Sequence, residues 1–398
     1  MIRPSVRQAL AVRQALATAV HMTSVHYAYD NRIFHKECAS LAAAGYDVTL
    51  IASNGETRAF PNGVKVIAVP APPNRISRVT VTVGRVFWQA WRLKAQVYHF
   101  HDPELMPAGA LLKLLGKTVV YDVHEDYAGS MQGKQWLPRV LRKPAGRLVK
   151  VLEQTLAGIF DRVIAATPTI AGNFRSGNVS MVQNFPWTEE LRAAEGVAYG
   201  KRGNIVAYVG ALSNDRGLQE MSQAVALVAQ KMPVTLVTAG KVREGAAADR
   251  ETESHVVHLG MQGRPEVAAL LARARVGLAL LHPTVNYIAA QPTKLYEYMS
   301  AALPVVASDF PVCRQVVQSS ECGLLVDPRN VRAIADAVEW LLTHPEDAER
   351  MGQAGQRAVG ERYNWEREAR VLVSVYDALC GHAPVRAASG AVPRETES

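Results

Sequence analysis

The 398-residue chain has little of what usually narrows a function quickly. Its four cysteines, at 38, 313, 322 and 380, form no CxxC pair and have no histidine pattern around them. That composition excludes a disulfide framework and a zinc ribbon and fits a reduced, cytosolic protein with incidental thiols. No apolar run reaches the ~18 residues of a membrane span. The N-terminus lacks the unbroken apolar segment of a signal peptide, because Gln8, Arg13 and Gln14 interrupt it. Asp-Xaa-Asp is absent, and the basic charge comes with no recognised nucleic-acid module, so no nucleic-acid partner is expected. Acidic residues are missing from two long stretches: residues 57–101 carry seven Lys and Arg and no acid, and residues 127–152 carry six and none.

What is present is an ordinary globular composition, 48% hydrophobic, in a chain too long for one core, so two domains are expected. The charge divides unevenly. Residues 1–196 hold 23 basic and 14 acidic residues, whereas 197–398 hold 21 and 22, so the whole excess lies in the first half. An anionic partner for that half follows, either membrane lipid or a phosphorylated acceptor. Two readings of the Arg-Gln-Ala-Leu-Ala tandem at 7–11 and 13–17 stay open. It is a helical extension within 1–18, or the gene start is set too early, with Met22 as an internal start that would cut into the first strand.

Apolar, strand-like runs alternate with helical patterns twice over, which predicts two parallel sheets covered by helices. The first domain spans 1–196, with strands near 19–25, 48–52, 64–69, 97–101, 118–122, 162–166 and 180–183. Its helix near 31–44 ends at Gly45. Residues 184–203 read as a linker. The second domain spans 197–364, with strands near 205–209, 234–239, 256–259, 276–281 and 305–307. Its helices fall near 218–231, 264–273, 294–301 and 331–343. A final helix is predicted over 365–381, and the Ala/Pro/Gly/Ser-rich tail 382–398 reads as disordered.

The segment Gln291–Pro311 carries the most chemistry. Pro292 suits a helix start, and Thr293 and Lys294 add a hydroxyl and an ammonium to its free N–H groups, which makes an anion site. Glu297, one turn on, can take the two hydroxyls of a ribose while the helix start takes phosphates. A second phosphate element is Gly210-Ala211-Leu212-Ser213-Asn214-Asp215-Arg216-Gly217, between a strand and a helix. Gly210 lets backbone approach a phosphate, and Arg216 can clamp a diphosphate; the alternative is a plain Asn-Asp turn. Two basic stretches, 85–94 and 134–143, interleave Trp with Lys and Arg. The first reads as a core-packed helix and the second as an interfacial one.

These segments, with Asp30–Glu37, His101-Asp102-Pro103-Glu104-Leu105, Tyr121-Asp122-Val123-His124-Glu125 and Tyr363-Asn364-Trp365, together resemble the family 4 glycosyltransferases over roughly residues 20–380. The resemblance implies the GT-B fold: α/β, two doubly wound Rossmann-like domains facing a central cleft, with the last helix crossing back to the first domain. It implies a hexosyltransferase-type enzyme. Such an enzyme moves a sugar from a nucleotide-diphosphate donor to a lipid-linked or polysaccharide acceptor with retention, in cell-surface polysaccharide assembly at the inner membrane face. No cofactor and no bound metal are implied for donor binding. His124 occupies the position of a histidine near the transferred sugar, although a structural histidine at a strand end is the alternative. A second family carboxylate is replaced by Ala289, where Asn286 can supply one hydrogen bond, and a basic residue usual after the glycine is Ala211 here. Asp30 and Arg32 are either acceptor contacts or a helix cap with an exposed arginine. Glu125 and Asp126 are either acceptor contacts or a helix N-cap. His101-Asp102-Pro103-Glu104 reads as a capped helix start with Pro at its first position rather than as a metal motif. The rival readings are a same-fold sugar-nucleotide epimerase or hydrolase and a non-catalytic nucleotide-sugar-binding partner.

Overall fold

The computed structural model describes residues 16–131, 138–174, 177–191, 197–243, 253–288 and 290–382. The tandem at 7–17 is covered only from Leu16. The tail from Ala383, Ala289 and residues 134–137 of the second basic stretch lie outside the described residues. The chain forms two compact units, one from residues up to Gln183 and again from Glu368, the other Asn184–Arg367.

The first unit is built on an eight-stranded sheet. Its strands are β1 (Thr18–Tyr27), β2 (Asp47–Ser53), β3 (Arg58–Ala59), β4 (Lys65–Val69), β5 (Val97–Phe100), β6 (Thr118–Val123), β7 (Arg162–Ala165) and β8 (Val179–Met181). They lie in the order β3-β4-β2-β1-β5-β6-β7-β8, and all pairings are parallel except β3 with β4. Nearly continuous burial along β1, β2, β5 and β6 is what a parallel sheet covered on both faces requires. The strand order reverses between β1 and β5, whose carboxyl ends are therefore the ligand-binding edge of this fold type. The predicted helix over 31–44 forms in two pieces, a π-helical turn Ile33–Cys38 and an α-helix Ala39–Ala43. It turns out at Gly45 with φ +102°.

The second unit carries β9 (Ile205–Val209), β10 (Thr235–Ala239), β11 (Val256–His258), β12 (Val276–Ala279), β13 (Val305–Ser308) and β14 (Gly323–Val326). The order β11-β10-β9-β12-β13-β14 is wholly parallel, with its switch point between β9 and β12. Phe185 and Leu191 are buried in the core of this unit, so residues 184–191, expected in a linker, are part of it. The last helix, Trp365–Cys380, starts in the second unit and continues in the first. There Tyr376 is fully buried, and Asp377 accepts a 2.6 Å hydrogen bond from the Tyr46 hydroxyl. Among the described residues no helix is long and apolar enough to cross a membrane.

Candidate functional site

In the second unit the loop after β9 and the helix Thr293–Ser300 bring Gly210, Arg216 and Lys294 together. Gly210 has φ +127°, and a Cβ built on it would lie 3.5 Å from Lys294 Nζ. Its neighbour Gly240 is packed so closely that a Cβ there would fall 2.1 Å from the Gly210 carbonyl oxygen. Only glycine therefore lets the two strand ends sit at this distance. Lys294 is 6% exposed, and its Nζ lies 3.5 Å from the centroid of the Tyr208 ring. Among the described residues it has no hydrogen-bond partner. Burial pushes its ammonium well below the usual lysine range; the Arg216 charge pushes the same way, and Glu297 opposes both. Arg216 Nε donates to the Tyr287 hydroxyl at 3.4 Å. Two cations thus converge beside a glycine at the sheet's switch point, and one of them is unpaired. The arrangement suits an anion with more than one charged oxygen.

Thr293 is exposed at the first position of its helix. The Leu295 N–H already donates to the Pro292 carbonyl at 3.1 Å, which leaves the donors of Thr293 and Lys294 as the free start of this helix. Glu297 is not a solitary carboxylate. Arg264 Nη1 donates to its Oε1 at 2.9 Å, and Arg264 Nε donates to Glu190 Oε1 at 2.7 Å. Arg264 and Glu190 escaped the sequence reading because they stand 33 and 107 residues from Glu297 in the chain. Only Pro265, which marks a helix start right after Arg264, hinted at a fixed position. Asn286 falls in the short helix Val285–Ile288, and its side chain lies outside the description.

We expect Arg264→Ala to raise the Kd for a nucleoside diphosphate about tenfold, since the charged hydrogen bond by which it holds Glu297 contributes ~1.5–3 kcal/mol. Calorimetric titration of the variant checks this. An unchanged Kd would mean that Arg264 does not orient Glu297 for ligand.

In the first unit the ends of β1, β5 and β6 carry a dense polar cluster. His124 Nε2 lies 2.5 Å from Asp122 Oδ2, and His101 Nδ1 lies 3.1 Å from the same oxygen. Arg32 donates through Nη2 to Asp122 Oδ1 at 2.9 Å and through Nη1 to the Val182 carbonyl at 2.9 Å. At 4% exposure, Arg32 is a buried clamp, neither an exposed cap residue nor an acceptor contact. Although burial opposes it, Arg32 and His124 hold Asp122 well below the usual carboxylate range. Burial and the Asp122 charge push Glu37 well above it. Burial also lowers His21 and His99 well below the usual histidine value and takes His101 to about 4.

Asp30 accepts from the backbone N–H groups of Arg32 at 2.8 Å and Ile33 at 3.0 Å, so it caps the helix. Asp126 caps the turn Tyr127–Ser130 by accepting from Gly129 N–H at 2.9 Å, while Glu125 is exposed. Pro103 does begin a helical turn, but Asp102 does not cap it with its side chain. The Asp102 carboxylate instead accepts from the Thr23 hydroxyl at 2.8 Å and the Ser24 N–H at 2.6 Å, pinning the end of β1. His21, His99 and Tyr376 also belong to this cluster and were missed. The available signal was His99 and His101 two residues apart on one strand face, with His21 in register with His99 on β1.

Two doubly wound, mainly parallel sheets, the second with the buried Lys294 and the half-buried Arg216 at its switch point, define a GT-B glycosyltransferase. Residues 31–183 match the glycosyl transferase 4-like domain and residues 191–358 match glycosyl transferases group 1, and the chain belongs to this family of hexosyltransferase-type enzymes. Glycogen synthase of Mycobacterium tuberculosis (strain CDC 1551 / Oshkosh) is 25% identical over 387 residues, 87% of this chain and 90% of that protein. Sucrose-phosphate synthase from Thermosynechococcus elongatus superposes with a TM-score of 0.70 at 18% identity, covering 92% of this chain and 99% of that one. Anabaena HepE in complex with UDP-glucose gives 0.68 at 13% identity, covering 91% and 100%. At such identities the two structures share the fold with this chain.

Proposed function

We propose that the protein transfers a sugar from a nucleotide-diphosphate sugar to a lipid-linked or polysaccharide acceptor, with retention of configuration, in cell-surface polysaccharide assembly. The observation that carries this reading is the buried, unpartnered Lys294 ammonium beside Gly210 and Arg216. Leaving such a cation without a counter-charge is costly unless a ligand supplies one. A diphosphate does so, and the UDP-glucose bound by HepE is a ligand of that chemistry. Glu297, oriented by Arg264, takes the ribose hydroxyls.

As the nucleoside diphosphate departs, charge builds on its β-phosphate. Lys294, Arg216 and the N–H groups of Thr293 and Lys294 stabilise it where it develops. The acceptor hydroxyl attacks from the face the leaving group vacates and passes its proton to the departing phosphate. His124, held by Asp122, hydrogen-bonds a hydroxyl of the transferred sugar. The donor is a substrate, and this reading of the diphosphate site calls for no cofactor and no metal.

Thermal denaturation of the purified protein against a panel of nucleotide sugars, nucleoside diphosphates and unrelated phosphates, without added metal, tests the reading. Ligands that bind only the folded state raise Tm with concentration. A rise selective for base and sugar is expected. No rise with any of them would overturn the transferase reading and favour a lost or repurposed site.

Diphosphate binding has a pH signature. Burial holds Lys294 below its usual pKa in the free protein, and an anion beside it favours the charged form and raises that pKa. Binding therefore takes up protons, and affinity weakens as pH rises through the free-state pKa of Lys294. Calorimetry in buffers of different ionisation enthalpy reads the uptake directly, with release or no exchange as the contrary result.

The acceptor side of the proposal includes an anionic membrane surface at the inner face of the cell membrane. The helix Arg139–Ala157 supports it. Val140, Leu141, Leu148, Val151 and Leu152 are all at least half exposed and share one outward face, with Lys143, Arg147 and Lys150 along its edge. Near an anionic leaflet each basic residue contributes about 1 kcal/mol. Reversing Lys143 and Arg147 to Glu should therefore cut binding to anionic vesicles about thirtyfold or more in flotation. Undiminished flotation would sink the membrane assignment.

A further inference from the structure

The cluster under the carboxyl ends of β1 and β5 holds more ligating groups than the transfer reaction uses. His21, Glu37, His99 and His101 each offer one ligand atom, and these atoms all lie within 4.8 Å of one another. All four side chains are fully buried. We propose that these four residues bind one divalent transition-metal ion of the zinc or cobalt class, which ties β1, β5 and the helix start together inside the first unit.

Three observations carry the assignment. First, each histidine has an outer partner for one ring nitrogen. His101 Nδ1 meets Asp122 Oδ2 at 3.1 Å, while His21 Nε2 and His99 Nδ1 both meet the Tyr376 hydroxyl, at 3.0 and 2.8 Å. Outer carboxylate and hydroxyl partners of this kind orient histidine ligands of metals.

Second, the inner nitrogens then face each other. His21 Nδ1 and His101 Nε2 are 3.0 Å apart, and when both rings place their N–H outward, two lone pairs meet there. A cation between them satisfies both lone pairs; the metal-free alternative turns one N–H inward, with the Tyr376 hydroxyl donating to His21 Nε2 and His21 Nδ1–H to His101 Nε2.

Third, a polar atom is orphaned beside it. His99 Nε2 has no hydrogen-bond partner among the described residues, and the Glu37 carboxyl beside it lies against the Arg32 and Asp122 side chains. Arg32 Nε sits 2.9 Å from Glu37 Oε1 without hydrogen-bond alignment, which leaves Oε2 for a metal. Three imidazoles and one carboxylate are the donor set of zinc and its neighbours rather than of magnesium or calcium. The second possible grouping, His101 with Asp122 and His124, has no comparable orphaned atoms, since its members already bond one another. The proposed ion is distinct from the donor site, whose Lys294 and Arg216 belong to the other unit.

The full chain, purified without a polyhistidine tag, is analysed for bound metal, then stripped, dialysed and titrated with Co2+ while visible absorption and Tm are followed. The result expected is about one equivalent of metal per chain, a Co2+ visible band at one equivalent, and a rise in Tm with added metal. Glu37→Gln and His99→Gln should each weaken Co2+ binding about a hundredfold or more, while the exposed His344→Gln control keeps the band. Absence of both the band and the Tm shift in the reconstituted wild type overturns the proposal and leaves protons to hold the histidines. An undiminished band in folded His99→Gln also overturns it. Should both variants fail to fold, the stoichiometry and band of the wild type decide alone.

Discussion

Replacing Lys294 with alanine is expected to lower kcat/KM by about 10²–10³ without lowering thermal stability. The two halves of this result have one cause. The ammonium is buried and has no partner among the described residues, so removing it relieves a desolvation cost in the free protein. In the proposed transfer step the same ammonium faces the charge growing on the leaving diphosphate, and loss of one such preorganised donor typically costs 10²–10³ in rate. A purely structural lysine predicts the reverse: a destabilised protein with ordinary turnover per folded molecule. Steady-state kinetics together with Tm of Lys294→Ala separate the two. Lys294→Arg is not a conservative test, because a planar, always-charged guanidinium differs in shape and titration from the ammonium that stands 3.5 Å from the Tyr208 ring.

His124→Ala should reduce kcat by about 10²–10³, within the usual range for a positioned histidine, with the Kd for nucleoside diphosphate unchanged. Lys294 and Arg216, proposed to hold the phosphates, belong to the second unit and His124 to the first, so the two effects divide by residue. The variant should also remain folded. Asp122 keeps its contacts from Arg32 at 2.9 Å and from His101 at 3.1 Å when His124 is truncated. A kcat equal to that of the wild type removes His124 from the transfer step and leaves it as a structural partner of Asp122.

Most strand positions were legible because parallel strands buried on both faces read as continuous apolar runs. Ile205–Val209 and the helices Arg264–Arg273 and Val331–Thr343 form where the pattern predicts them. The helix Pro345–Glu361 was not legible. Its buried face is Ala348, Gly352, Gly355, Ala358 and Val359, so small residues replace the usual apolar stripe. Gly352 is required there, because a Cβ would fall 2.3 Å from the Ala302 carbonyl oxygen. The strand Gly323–Val326 was missed as well, being four residues long and mostly half-buried.

At the sites, residue types and order located Gly210, Arg216 and Lys294, since local turn and helix-start chemistry brings them to one strand end. Partnerships made over long chain separations were not legible. Arg32 looked like an exposed cap residue because its partner Asp122 is 90 residues away. Arg264 gave no sign of meeting Glu297. The histidines of β1 and β5 lay in plain view at strand spacing, but only sheet pairing places them side by side.

The most direct measurement is a crystal structure of the protein with a bound nucleoside diphosphate, grown without added metal. Phosphate oxygens are expected within hydrogen-bond reach of Lys294 Nζ and the Gly210 loop, with ribose hydroxyls on Glu297. A diphosphate bound elsewhere, with Lys294 still buried and unpaired over Tyr208, would contradict the proposed donor site.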